Sequence, residues 1–377
     1  MSPRSRPSSC PGLARGPLGI LGAAALIGAG LTGGYLGHRA SNAYAGTYAT
    51  SQSLLRPRIA PTCTDGATQV SDDTALQAAI AAANASPTDD TVVCVAQSFQ
   101  LSQELLITNT TVTLEGRDDS AVTLTAPATA TAPRERRHLL VNLTGSDNDT
   151  FTLQNLALTG GNVAGGGGGA INFVGETGDR IHLIDDSFVG NRSATDDTAT
   201  PFKGGAAVIV FLGPEDDTQV FFTRTTWIDN YSEAGGGAAY LNFDDTYAGS
   251  IDITGGSFRS NEAKNDGGSL YVESGRGSTD LLSLNGVSFS DDSAGALGGS
   301  IWSRIPVRSQ GSTFTNNQAA SGGAIALSGT GPGTTSISLN DDTFANNLAR
   351  SGVGGAIVSG ATTATDSTFT GNSASST

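Results

Sequence analysis

Nine Asp-Asp pairs punctuate this chain, at 72/73, 89/90, 118/119, 185/186, 196/197, 216/217, 244/245, 291/292 and 341/342. Two neighbouring carboxylates can divide the work of a general acid and a general base, or join backbone oxygens in holding Ca2+. A Ca2+-dependent lyase also needs a basic residue to take the proton. The candidates are Arg134, Arg136 and Arg137 in APRERRH, and Arg304 and Arg308 in WSRIPVRSQ. No spacing ties either group to a particular Asp pair. The first reads as an exposed loop, and the second as a turn in which Pro306 breaks a strand. His138 and His182 stand apart and read as surface or strand residues. No GxSxG is present in a strand-turn-helix context, and the glycine run at 165–169 lacks the Lys-Ser/Thr ending of a phosphate loop.

A plainer reading of the pairs comes from their context. Asp185-Asp186 and Asp341-Asp342 precede Ser-Phe and Thr-Phe, where other stretches carry Gly255-Gly256 or Asn285-Gly286. These are ordinary turn residues, and Asp fills turns readily. Solvated turns are therefore the preferred reading, with no catalytic, cofactor-binding or metal-binding residue assigned; Ca2+ is weakly supported.

The elements around the pairs form a repeat. Aromatic-x-x-Asn recurs at Phe188/Asn191, Trp227/Asn230, Phe258/Asn261, Phe314/Asn317, Phe344/Asn347 and Phe369/Asn372, with Phe289/Asp292 as a variant. Glycine pairs follow, at 204/205, 236/237, Gly267-Gly268, 298/299, Gly322-Gly323 and Gly354-Gly355, each leading into an apolar phrase such as GGSLYVE or GGAIALS. Successive aromatic anchors are 39, 31, 31, 25, 30 and 25 residues apart. That variation is too wide for stacked helical repeats of fixed length, but it suits a coil of three short strands whose turns can grow. The spacing predicts an all-β fold, a right-handed parallel β-helix. Inward Phe and Trp form one stack, Ile, Leu and Val form another, and Asn builds a side-chain ladder. The glycines serve a corner that needs positive φ or close backbone approach.

The segment before the repeat reads as a cap, about residues 62–95. In SDDTALQAAIAAANASP, Thr74 and Gln77 stand at capping-box spacing, Leu76 and Ile80 share a helical face, and Asn84 with Ser86-Pro87 ends the helix. Cys63 and Cys94 most simply pair with each other in an oxidising compartment, although two separate buried thiols stay open. Residues 46–61 read as a polar linker. Residues 1–45 carry early Arg, an uncharged run rich in Gly and Ala, and Ala43-Tyr44-Ala45, the pattern of a signal peptide cut after Ala45. An uncleaved membrane anchor is the rival reading.

The formal net charge of -15 argues against nucleic acid and anionic lipid as partners. Membrane contact is then expected only through the N-terminal segment, if it is uncleaved. Six Asn-x-Ser/Thr sites, at Asn84, Asn109, Asn142, Asn148, Asn191 and Asn230, would be glycan acceptors in a eukaryotic secretory pathway.

The GGA[ILV] phrases, clearest at Gly322-Gly323-Ala324-Ile325 and Gly354-Gly355-Ala356-Ile357, and the FxxN tetrads carry a family resemblance. They resemble the repeats of chlamydial polymorphic outer membrane proteins and of related bacterial surface β-helices in the pectate-lyase-like superfamily, over about residues 63–377. The polymorphic proteins end in a membrane β-barrel that is not seen here. A fragment, an oligomer or a flexible tail covering the last coil is therefore expected. The resemblance implies a single-domain exported protein at or released from the cell surface. It also implies a non-catalytic role in adhesion or interaction with a surface glycan or protein. A polysaccharide lyase or glycoside hydrolase is the alternative. Specificity would sit in the longer insertions at 192–203 and 213–219.

Overall fold

The structure is a computed structural model. It describes residues 63–375 except 118–120, 129–135, 146–147, 165–166, 177, 195–203, 213–218, 244–249, 275–280 and 329–335. The leader with Ala45, the linker, Arg134, four of the Asp pairs and most of the two insertions lie outside the described residues. All described residues belong to the compact unit Gly46–Thr377. Among them, no helix is long and apolar enough to cross a membrane.

The fold is a parallel β-helix. One coil shows the plan: Arg180–Ile184, Ser187–Val189, Arg192–Ala194 and Ala207–Phe211 are four strands, and each pairs in parallel with its counterparts in the coils before and after. Stacking produces four parallel sheets of 11, 10, 8 and 9 strands, here called sheets 1 to 4 in the order the coil visits them. The expected three-strand coil is thus corrected to four. The two or three residues after each FxxN tetrad form their own short strand, because the turn at the tetrad redirects the chain before the glycine corner.

Along every long strand, buried and half-exposed residues alternate, as in Arg180–Ile184, where Ile181 and Leu183 point inward. The register places Phe188, Trp227, Phe258, Phe289, Phe314, Phe344 and Phe369 directly over one another in sheet 2. Their rings stack with centroids 4.0, 5.7, 4.8, 4.9, 4.5 and 4.9 Å apart and planes within 14° of parallel. The mean spacing is that of hydrogen-bonded strands, so one repeat distance satisfies both backbone and rings. All but Phe369, in the last coil, are fully buried. A second inward stack, Phe173, Phe211 and Phe243, runs under sheet 4.

The helix Asp73–Ala85 closes the N-terminal end, burying Leu76, Ile80 and Ala83 against the first coils. Its N-cap is Asp72, whose carboxylate accepts from Ala75 N at 2.9 Å, and Thr74 lies inside the helix. Asp is the stronger cap and already has the extended backbone a cap requires, so the Thr74/Gln77 capping box does not form. Cys63 and Cys94 form a disulfide that ties the segment ahead of the first strand, Thr68–Val70, to the strand Thr91–Val95.

Candidate functional site

Each complete coil makes three left-handed turns, and the Asp pairs occupy two of them. In the turn between sheets 1 and 2, Asp185 and Asp341 have φ of 57° and 58°, a position held in other coils by Asn155, Gly255 or Gly286. Short polar residues tolerate this conformation because their side chains can bond locally. Asp186 and Asp342 then turn inward and are buried. Asp186 accepts from Leu156 N at 2.9 Å and Ile184 N at 3.0 Å. Asp342 accepts from Ser312 N at 2.7 Å, Ser309 Oγ at 2.9 Å and Asn340 N at 3.0 Å. Each carboxylate thus clasps the backbone of its own coil and the one before it. Burial raises both pKa values above that of a free Asp, for Asp186 well above it, and these N–H donors oppose the shift.

The remaining described pairs serve structure too. Asp72 caps the helix, and its neighbour Asp73 accepts from Ser102 Oγ. Asp89 and Asp90 are exposed in the turn after the helix. Asp291 has φ of 58° in the turn after sheet 2, and Asp292 is buried as a ladder rung. Asp185 is joined by both oxygens to Arg224 at 2.8 and 2.7 Å, a surface clasp between neighbouring coils. The guanidinium is therefore engaged as a partner rather than standing beside the pair as a free base.

The basic candidates are distributed differently from expectation. Arg137 is buried rather than in an exposed loop: it pairs with Glu104 at 2.7 Å and donates to the carbonyls of Gly168 and Gly167. His138 is likewise fully buried, with Nε2 3.1 Å from both the Leu124 and Thr159 carbonyls. Nε2 must carry the proton to serve those acceptors, and burial lowers the ring's pKa to about 4, so the imidazole is neutral. Both residues were misjudged because APRERRH reads as uniformly polar, whereas the strand Leu139–Asn142 that follows pulls Arg137 and His138 in behind it. His182 is half-buried on Arg180–Ile184 with its ring edge-on to Phe221. Arg308 is exposed, and Pro306 does separate Ile301–Ser303 from Val307–Gln310.

The predicted Asn ladder forms. Asn230 Nδ2 donates to the Phe188 carbonyl at 3.0 Å and to Asn261 Oδ1 at 3.0 Å, and its backbone N donates to the same Oδ1 at 3.2 Å. Asn191, Asn261, Asn317 and Asn347 repeat this arrangement, and Asn372 completes the run by donating to the Phe344 carbonyl. Asn191 and Asn230 are consequently buried and cannot accept a glycan in the folded chain, whatever their sequence context.

One surface group went unnoticed in the sequence. On the outer face of sheet 4, Tyr240, Tyr271 and Trp302 occupy the same register position in three consecutive coils, with Tyr271 stacked on Trp302 at 4.1 Å. Beside them runs a polar row in which Glu273 accepts from the Tyr240 hydroxyl at 3.0 Å and pairs with Arg304 at 3.1 Å. Arg304 lies 5.6 Å from the Trp302 ring centre with its side chain 49% exposed. Leu297, Ala326 and Val358 pack around the rings, so the aromatics are largely covered and the charged row forms the accessible edge. Burial and the Glu273 carboxylate raise the pKa of Tyr240 and Tyr271, which keeps both phenols neutral donors. The signal was available: in GGAAYLN, GGSLYVE and GGSIWSR an aromatic recurs at the outward step of the alternation. The patch can offer a cation and an anion on a rigid apolar backing, a combination suited to hydrogen bonding with hydroxyl-rich or peptide surfaces.

Comparison with family models, with characterised proteins and with solved structures gives no match.

Proposed function

We propose that the chain is an exported, non-catalytic β-helix that acts as a surface interaction protein of the adhesin type and binds a surface glycan or protein through its outer faces. The observation that supports this reading is the use made of the acidic pairs. Each described pair that would have supplied acid-base chemistry is placed in a turn, a helix cap or a backbone clasp. The pectate-lyase-like family and the polymorphic membrane protein repeats belong to the same reading, as the resemblance that motivates it, and so do secretion after Ala45 and a location at the cell surface. Within the described residues, the Glu273/Arg304 edge of sheet 4 is the contact we assign.

A glycan array and a screen of extracellular-matrix proteins with the full-length protein test the assignment. Reversing one charge at this exposed edge, Arg304→Glu, is expected to weaken a detected interaction about ten-fold while leaving the melting temperature nearly unchanged. Unaltered binding by R304E would remove the sheet 4 edge from the proposal.

A further inference from the structure

The rung at position 292 keeps the shape of the ladder and changes its chemistry. In the Asn rungs the two ends of the amide do different things: Oδ1 accepts from the coil before, and Nδ2 donates to the carbonyl of the preceding aromatic residue. At 292 a carboxyl takes that place. Its Oδ1 accepts from the backbone N of Asn261 at 2.9 Å and from Asn261 Nδ2 at 3.2 Å, as an Asn would. Its backbone N donates to Asn317 Oδ1 at 3.0 Å, again as an Asn would. Oδ2 is left with the role that Nδ2 fills elsewhere. The counterpart acceptor for this coil is the Phe258 carbonyl, equivalent to Trp227 O for Asn261 and Phe289 O for Asn317. An ionised oxygen offers only lone pairs to that carbonyl and to Asn317 Oδ1. Oδ2 is fully buried and has no hydrogen-bond partner. A carboxylic acid O–H would supply the missing donor.

We infer that Asp292 is a proton-binding rung: the folded β-helix carries it as the neutral acid, whose Oδ2–H stands in for the amide donor of the six Asn rungs. Loss of that proton places a bare carboxylate inside the ladder and loosens this coil. The comparison with Asp186 and Asp342 sharpens the point. Those carboxylates are also buried, but both of their oxygens receive N–H donors.

Among the described residues, no cation compensates the site. The side chains around the carboxyl are Asn261, Asn317, Ser269 and Ser300, all neutral. On the neighbouring turns, Asp291 and Glu262 are exposed, and Arg259 is half-buried and lies near Asp229. The following turn offers the uncharged Asn316 and Gln318. Burial raises the carboxyl to about 7, against the opposing influence of the polar Asn261, Ser269 and Ser300 around it. Because the folded-state value lies above the unfolded value of 3.8, the group's stabilisation is complete below about 3.8 and is lost as pH rises through about 7.

The test compares the full-length protein with Asp292→Asn at about pH 5 and about pH 8 by thermal unfolding. The neutral amide restores the donor at every pH, so D292N is expected to melt about 3 °C above the wild type at the higher pH and to match it at the lower. An equal shift at both values, or no shift at the higher one, would overturn the inference. So would failure of D292N to fold, since Asn is what the other rungs hold. Carboxyl-selective 13C NMR of the wild type gives an independent reading. One Asp resonance, absent from D292N, should titrate near neutrality, and its titration in the ordinary Asp range would contradict the assignment.

Discussion

At the scale of the residue, one side-chain type does different work at different points of the described coils. Asp185 and Asp341 sit in left-handed turns, Asp186 and Asp342 are folded inward onto backbone N–H groups, and Asp292 is a ladder rung with one satisfied oxygen. The consequences for stability differ accordingly. Asp186→Ala strands two buried N–H donors, of Leu156 and Ile184, and is expected to cost about 2–4 kcal/mol in chemical denaturation. Asp185→Asn keeps a residue that tolerates the left-handed turn, removes the exposed cross-coil ion pair with Arg224 and should cost less than about 1 kcal/mol. Equal costs would mean that the pair acts as one unit and that the division between turn and clasp is mistaken. The sequence revealed the pairing of these residues with turns. It could not reveal which member turns inward, because that depends on the backbone of a coil some 30 residues earlier.

At the scale of the element, the glycine corner shows how far a repeat can be read. From sequence, the pair required either positive φ or close approach; in the folded chain the first member meets both demands and the second only the close approach. Gly267 has φ of 63° and a Cβ there would stand 2.1 Å from the Leu270 carbonyl oxygen, whereas a Cβ on Gly268 would stand 2.0 Å from the Gly299 carbonyl of the next coil. The same contact recurs from Gly237 to Gly268 and from Gly299 to Gly323, so the second glycines stack backbone on backbone. Gly286 offers a control, since it has positive φ with open space around it. Gly268→Ala is expected to lower the melting temperature severely or prevent folding. Gly286→Ala should cost about 1–2 kcal/mol, the strain of the left-handed turn alone. Similar melting temperatures for the two variants would refute the packing argument. The inward aromatics and the Asn ladder were legible for the same reason as the glycines, because stacking forces equivalent residues into equivalent places, whereas the terminal helix was legible from its own period. The fourth strand and the Asp72 cap were not. Two-residue strands carry no period, and the Thr74/Gln77 spacing pointed past Asp72.

At the scale of the molecule, the repeat leaves little chemistry unassigned. Its interior is filled by stacked rings and aliphatic side chains, its corners by glycine and Asp, and its ladder by Asn. What varies between coils lies outside, and the outer row Tyr240, Tyr271 and Trp302 with Glu273 and Arg304 is where that variation becomes a coherent group. It was missed in the sequence because an aromatic in an apolar phrase reads as core, and only the period of two along the strand separates the inward Leu241 from the outward Tyr240. The central proposal is that the acidic pairs build the scaffold and that the protein binds a partner without cleaving it. Its most direct test is to incubate the full-length protein with acidic polysaccharides, with and without Ca2+, and to follow unsaturated products and new reducing ends. The account expects neither to rise above a no-protein control. Ca2+-dependent cleavage that is abolished by Asp185→Asn or Arg224→Ala would contradict it.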